Sequence, residues 1–209
     1  MSAVHPTKKE VVSGYRRACI LKAARKVFAR HGFEGATMDD VAEACSIAKG
    51  TLYLYFKSKR QIYMGVFKQD LQILRETSQR AIDAAHSPGE KIRAFVTSRL
   101  AFCDCNNSFF KIYNSDASAI FVTPHPTHKE LKEFYFEQSR VLESLIAEGI
   151  RSGELREVSP QAAAFAIYDM TRSLVSRRIL GLADQAPLDE EAGVLLDLIW
   201  RGIGKDGPA

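Results

Sequence analysis

Apolar residues recur along this chain at intervals of three and four, and no long stretch alternates apolar and polar with period two. That spacing predicts amphipathic helices throughout. Ile20, Leu21, Ala24, Val27 and Phe28 form one such stripe, with Arg16, Lys22, Arg25, Lys26 and Arg30 placed elsewhere on the same helix. Helix starts are marked by a hydroxyl followed three residues later by a carboxylate or amide, in Thr37…Asp40, Ser58…Gln61, Ser87…Glu90 and Thr127…Glu130. Such pairs satisfy N–H groups that a helix start leaves without partners. Ser87-Pro88 and Ser159-Pro160 add proline at the first helical position, where its missing N–H does no harm. Pro187 followed by Asp189, Glu190 and Glu191 marks another start, with acids that suit the helix dipole. Gly32, Gly153 and Gly181 stand where helices should stop.

Joining starts to stops predicts an all-α fold of about nine helices, over 14–31, 38–45, 49–55, 59–85, 90–105, 107–122, 128–151, 160–180 and 188–203. The fourth spans about 27 residues, roughly 40 Å, and is expected to join an N-terminal head rigidly to the rest. The expected division is an N-terminal arm over 1–13, a head over 14–58, a connecting helix over 59–85 and a larger helical domain over 86–209.

Composition narrows the class. The chain has 209 residues, 46% hydrophobic and 26% charged, too apolar for disorder and long enough for a core without metal or disulfide staples. No apolar run has the 18 or so residues of a membrane span. The polar start from Met1 to Glu10 does not resemble a signal peptide. Four cysteines without framework spacing fit a reducing cytoplasm. The net charge of +4 conceals an asymmetry: residues 1–63 carry +7 and residues 64–209 carry −3. A basic head on a mildly acidic body is the footprint of a polyanion binder, although a solvated basic face gives the same sum.

The head contains two short helices, 38–45 and 49–55, joined by a tight turn at Ser46-Ile47 and braced by a preceding helix. This is the outline of a helix-turn-helix, whose second helix enters the major groove. Lys49 suits a guanine edge or a phosphate, Gly50 leaves room for close approach, and Thr51 and Tyr53 offer hydroxyls. Leu52 and Phe56 have inward spacing, whereas Tyr55, Lys57 and Lys59 suit phosphates.

The stretch from Ala24 to Phe67, AARKVFARHGFEGATMDDVAEACSIAKGTLYLYFKSKRQIYMGVF, resembles the DNA-binding domain of the tetracycline-repressor (TetR) family of bacterial transcriptional regulators. The matching pieces are Phe28…His31-Gly32-Phe33, Thr37 to Ala42, and Lys49 to Lys59. The resemblance implies that Lys49, Gly50 and Tyr53 face bases, with Asp39 either a further base reader or a helix cap. It implies phosphate contacts at Thr37, Thr51, Tyr55 and Lys59. It further implies a homodimeric repressor that binds a palindromic operator in double-stranded DNA and is released by a small-molecule effector. The last two helices would then pair with their copies in a partner, through Tyr168, Arg172, Val175, Ile179, Leu195 and Ile199. Leu198 lies on the same side of its helix as the last two of these.

The middle helices are rich in aromatic residues, so the effector is expected to be largely hydrophobic or aromatic. Candidate pocket residues are Phe102, Phe110, Tyr113, Asn114, Phe134, Gln138 and Tyr168. Cys103, Cys105, His125 and His128 are the right elements for zinc or a thiol switch, but their spacing argues against a metal, and no cofactor is expected. The chain lacks a phosphate-cradling glycine loop, an HExxH and a nucleophile elbow, so an enzyme is not expected. The remaining alternatives are a metal- or thiol-responsive regulator of the same fold, or a protein-binding adaptor without specific DNA binding.

Overall fold

The structure is a computed structural model that describes residues 7–106, 128–181 and 186–205. Among the described residues there are eight helices: α1 (Lys8–Gly35), α2 (Met38–Ala44), α3 (Lys49–Tyr55), α4 (Lys59–Asp83), α5 (Pro88–Cys105), α6 (His128–Ser152), α7 (Pro160–Leu180) and α8 (Leu188–Ile203). The helix expected over 107–122 lies outside the described residues, as do Phe110, Tyr113, Asn114 and His125. The side chains of Cys103, Cys105, His128 and Ile179 also lie outside them.

The first helix departs from its expected bounds at both ends. It begins at Lys8 rather than at 14, because no proline or turn signal interrupts Lys8 to Ser13. At Gly32 the backbone breaks, with φ 68° and ψ −179°, and one further turn runs on to Gly35. Only glycine adopts that combination without strain. Gly181, at φ 62°, ends α7 in the left-handed conformation, its N–H donating to the carbonyls of Arg177 and Arg178.

The caps expected at Thr37, Ser58, Ser87 and Ser159 form, while Thr127 lies outside the described residues. Thr37 and Asp40 make a reciprocal capping box, the Thr37 hydroxyl accepting from the Asp40 N–H at 3.1 Å and the Asp40 carboxylate accepting from the Thr37 N–H at 2.8 Å. The Thr37 hydroxyl, which donates to the same carboxylate at 2.7 Å, and the Thr37 N–H together hold the Asp40 carboxyl below its ordinary value. Ser58 accepts from Gln61 N–H, Ser87 from Glu90 N–H and Ser159 from Ala162 N–H. Asp39, expected as a candidate cap, is displaced from that role by Asp40, which stands at the third helical position where the box requires its acid.

α4 holds the two halves together. Its first turns pack on α1, where the Phe28 and Tyr63 rings meet edge to face at 4.8 Å, and its length packs on α5. Beyond α4 the core is formed by α5, α6 and α7 around Phe95, Phe134, Leu142, Ile146 and Tyr168, with α8 laid against α5 and α7. An antiparallel bridge from Leu155 to Gly204 ties the end of α8 to the α6–α7 connection.

The side of α7 and α8 assigned to a partner from sequence is turned inward. Tyr168, Val175, Leu195 and Ile199 are all buried within the single chain, and Arg172 is half-buried in an ion pair with Asp169. Among the described residues of α7 and α8, the large apolar side chains left outside are Met170, Val194 and Leu198, the last two 60% and 57% exposed. Both helices carry apolar side chains on two sides, so spacing alone could not separate the core stripe from the outer one.

Candidate nucleic-acid interface

α2 and α3 are joined by a turn with two diagnostic hydrogen bonds. Ser46 N–H donates to the Glu43 carbonyl at 2.9 Å and Ile47 N–H to the Ala42 carbonyl at 3.1 Å. This is the Schellman arrangement, with Ser46 in the left-handed position usually held by glycine, at φ 54°. Val41, Ala42 and Leu52 are buried, and Phe56, immediately after α3, is 1% exposed. Its ring lies 4.2 Å beneath the Arg17 guanidinium, which also donates to the Tyr55 carbonyl. Leu52 and Phe56, four residues apart, thus pin α3 against the head and fix which side faces solvent.

That outer side carries Lys49, Gly50, Tyr53 and Leu54. Tyr53 is 39% exposed and Leu54 77%. A Cβ added to Gly50 would meet no atom within 4 Å, so the glycine is not demanded by packing within the chain. Lys49 Nζ donates to Asp39 Oδ2 at 2.7 Å, which raises the Lys49 ammonium above its ordinary value. Neither Leu54 nor this pair was singled out by sequence reasoning. Leu54 could have been found as the apolar residue of α3 one position off its inward stripe.

The phosphate candidates divide into two kinds. The Thr37 hydroxyl is occupied in the capping box, donating to Asp40 Oδ2 at 2.7 Å while it accepts from the Asp40 N–H. Thr51 and Tyr55 are half-buried on α3. Lys59 reaches back to the end of α1, donating to the Glu34 carbonyl at 3.1 Å with its ammonium 4.6 Å from the centre of the Phe33 ring. An ammonium has three donors, so this contact holds Lys59 beside the head without using it up.

A second feature missed from sequence joins the head to α4. Arg25 of α1 forms a two-pronged ion pair with Asp70 of α4, whose side chain is 3% exposed. Burial pushes the Asp70 carboxyl up to about 6, against the lowering effect of Arg25.

In the larger domain, Phe102, Phe134, Gln138 and Tyr168 are buried. The latter three converge on Arg99 of α5, which is only 7% exposed. Its guanidinium donates to Gln138 Oε1 at 3.2 Å and to the Tyr168 hydroxyl at 3.0 Å, among the rings of Phe95, Phe134 and Tyr168. Separately, an open groove of about 530 Å³ runs between α7 and α8, lined by Met170, Leu174, Val194, Leu195 and Leu198, with Arg177 and Glu191 among its polar residues. Among the described residues no helix is long and apolar enough to cross a membrane, and no three His, Cys, Asp or Glu side chains are grouped to hold a metal.

Comparison with known proteins agrees with this layout. Residues 20–64 match the bacterial regulatory proteins of the tetR family, and residues 85–176 match the tetracyclin repressor-like C-terminal domain. The transcriptional regulator YhgD of Bacillus subtilis is 25% identical over 190 residues, covering 90% of this chain and 96% of that one. The transcriptional repressor KstR2 of Mycolicibacterium smegmatis is 28% identical over 141 residues, 68% of each protein. A Clostridium perfringens structure described as a candidate fatty acid metabolism regulator superposes with a TM-score of 0.74 at 26% identity, covering 88% of this chain and 97% of its own. With a helix-turn-helix head and a matching C-terminal domain in one chain, the protein belongs to the TetR family of DNA-binding transcriptional regulators.

Proposed function

We propose that this regulator is a cytoplasmic homodimeric repressor that holds a palindromic operator and lets it go on binding a small, largely hydrophobic effector. It is not an enzyme in this reading. The observation that carries the proposal is the outer side of α3, where Lys49, Gly50 and Tyr53 stand exposed on a basic head while Leu52 and Phe56 anchor the helix from behind. Lys49 and Tyr53 read base edges and Gly50 admits them closely; Thr51, Tyr55 and Lys59 hold phosphates and set register, and Thr37 joins them by exchanging its hydroxyl's bond to Asp40 for one to a phosphate. Leu54 suits a thymine methyl.

The second copy is assigned to the groove between α7 and α8. Met170, Val194 and Leu198 leave apolar surface exposed there, and a two-fold pairing buries each copy's groove against the other's. Two heads then engage two half-sites together.

The effector is placed in the domain beyond α4, around Phe102, Phe134, Gln138 and Tyr168, with Phe110, Tyr113 and Asn114 retained as candidates. Rings supply apolar walls, and Arg99 supplies a cation for an acidic head group. Acyl compounds are favoured within the hydrophobic class, because the Clostridium perfringens relative is described as a candidate fatty acid metabolism regulator.

Gel shift of the full chain against the DNA upstream of its own gene tests the proposal. Retardation that survives competitor DNA, weakens steeply with salt and is reversed by a fatty acyl compound supports it. Equal binding to scrambled DNA would overturn it in favour of the adaptor reading.

A further inference from the structure

The geometry points to Asp39 and Lys49 acting as one unit that reads a G·C base pair, the ammonium on guanine and the carboxylate on the cytosine amino group. The inference rests on α3 being the DNA-facing helix, and deepens that reading by naming the base pair. Asp39 stands in the first turn of α2 and Lys49 opens α3, and their side chains meet at 2.7 Å, 66% and 52% exposed respectively. Asp39 is not needed to cap α2, since Asp40 does that. A lone carboxylate on a DNA-facing surface is repelled by phosphates; joined to Lys49 it forms a neutral unit that can enter the groove. The empty space around Gly50, next to Lys49, leaves room for the base edge.

The spacing suits the target. On the major-groove edge guanine O6, an acceptor, lies beside cytosine N4, a donor, at the roughly 2.9 Å of a hydrogen bond. A donor and an acceptor 2.7 Å apart on the protein close a ring of four hydrogen bonds with them. Of the three ammonium donors one holds Asp39, one reaches O6 and one reaches guanine N7. A T·A pair in the same place keeps the ring through thymine O4 and adenine N6 but puts a methyl group where N7 was. A·T and C·G pairs reverse the pattern, setting an amino group before the ammonium and a carbonyl before the carboxylate. The expected order is G·C first, T·A second, and A·T and C·G rejected.

The test is selection of a random duplex library by the full-length wild type, Asp39→Ala and Lys49→Ala proteins. Affinities are then measured on four duplexes that differ only at the indicated column. Wild type is expected to show that order at one column in each half-site. Asp39→Ala should reduce the penalty on A·T and C·G there by about fivefold or more, leaving other columns unchanged. It should also strengthen binding to scrambled duplex and steepen the salt slope by about 1, since Lys49 is freed for a phosphate. An unchanged melting temperature shows that the fold is intact. If Asp39→Ala selects the wild-type columns while Lys49→Ala does not, the pair does not read together, although the head still reads DNA. If wild type enriches no sequence, the inference falls together with the proposed function.

Discussion

In the head, the short helices α2 and α3 share one small core with the long α1, and Leu52 and Phe56 mark the inner side of α3; in the larger domain, α7 and α8 are apolar on two sides. Leu52 and Phe56 disappear into the head and leave Lys49 and Tyr53 outside. On α8, by contrast, Leu195 and Ile199 are buried while Val194 and Leu198 are exposed, so neighbouring positions of similar chemistry face opposite environments. On the proposed reading, the contrast follows from what each surface meets. A surface for phosphates and base edges is polar, and so is distinct from its own core. A surface for a second copy of the chain is apolar, and resembles the core it covers.

Substitutions at adjacent positions can break or sharpen this contrast. The largest effects are expected inside. Phe56→Ala should cost about 3–5 kcal/mol of stability and Ile199→Ala about 2–5 kcal/mol, seen as lower denaturant midpoints. One residue away, Leu198→Asp combined with Val194→Asp should leave the chain folded but shift its mass in solution from two copies to one. Persistence of the dimer would move the partner surface off this groove. Next come the base readers: Tyr53→Ala and Lys49→Ala should each cost roughly 1–3 kcal/mol of operator binding, with stability changed by no more than about 0.5 kcal/mol. Lys59→Ala should weaken binding to all sequences alike and reduce the salt slope by about 1.

The last effect concerns pH. Asp70 is pushed from the ordinary 3.8 up to about 6, so folding favours its protonated form. Its contribution is fully present below about pH 4 and is lost as pH rises through about 6. Asp70→Asn should flatten that part of the curve of stability against pH, measured by denaturant midpoints across the same range.

How far the sequence could be read follows the same division. Punctuation located the helices well, because Ser58, Ser87, Ser159, Gly153 and Gly181 act through their own backbone neighbourhood. α1 was the exception, since nothing local distinguishes Lys8 from residue 14 as a start. Candidate readers on α3 were legible as polar residues between buried ones. The Arg25–Asp70 pair, the Asp39–Lys49 contact and Arg99 among its rings were not, because each joins residues on different helices that only the fold brings together. Which side of α7 is buried was not legible for the same reason: Tyr168 is enclosed by Phe95 and Arg99 of α5 and Tyr135 of α6, which its spacing along α7 does not reveal.

The central claim, that the exposed side of α3 selects one DNA sequence, is tested most directly by a ratio of affinities. The duplex upstream of the protein's own gene and a scrambled duplex of equal length would be titrated at physiological salt with wild type and with the Lys49→Ala/Tyr53→Ala double variant. The account predicts a wild-type preference of at least about 10³-fold that falls by more than tenfold in the double variant. A wild-type ratio near one, or a ratio that the double variant leaves unchanged, would contradict it.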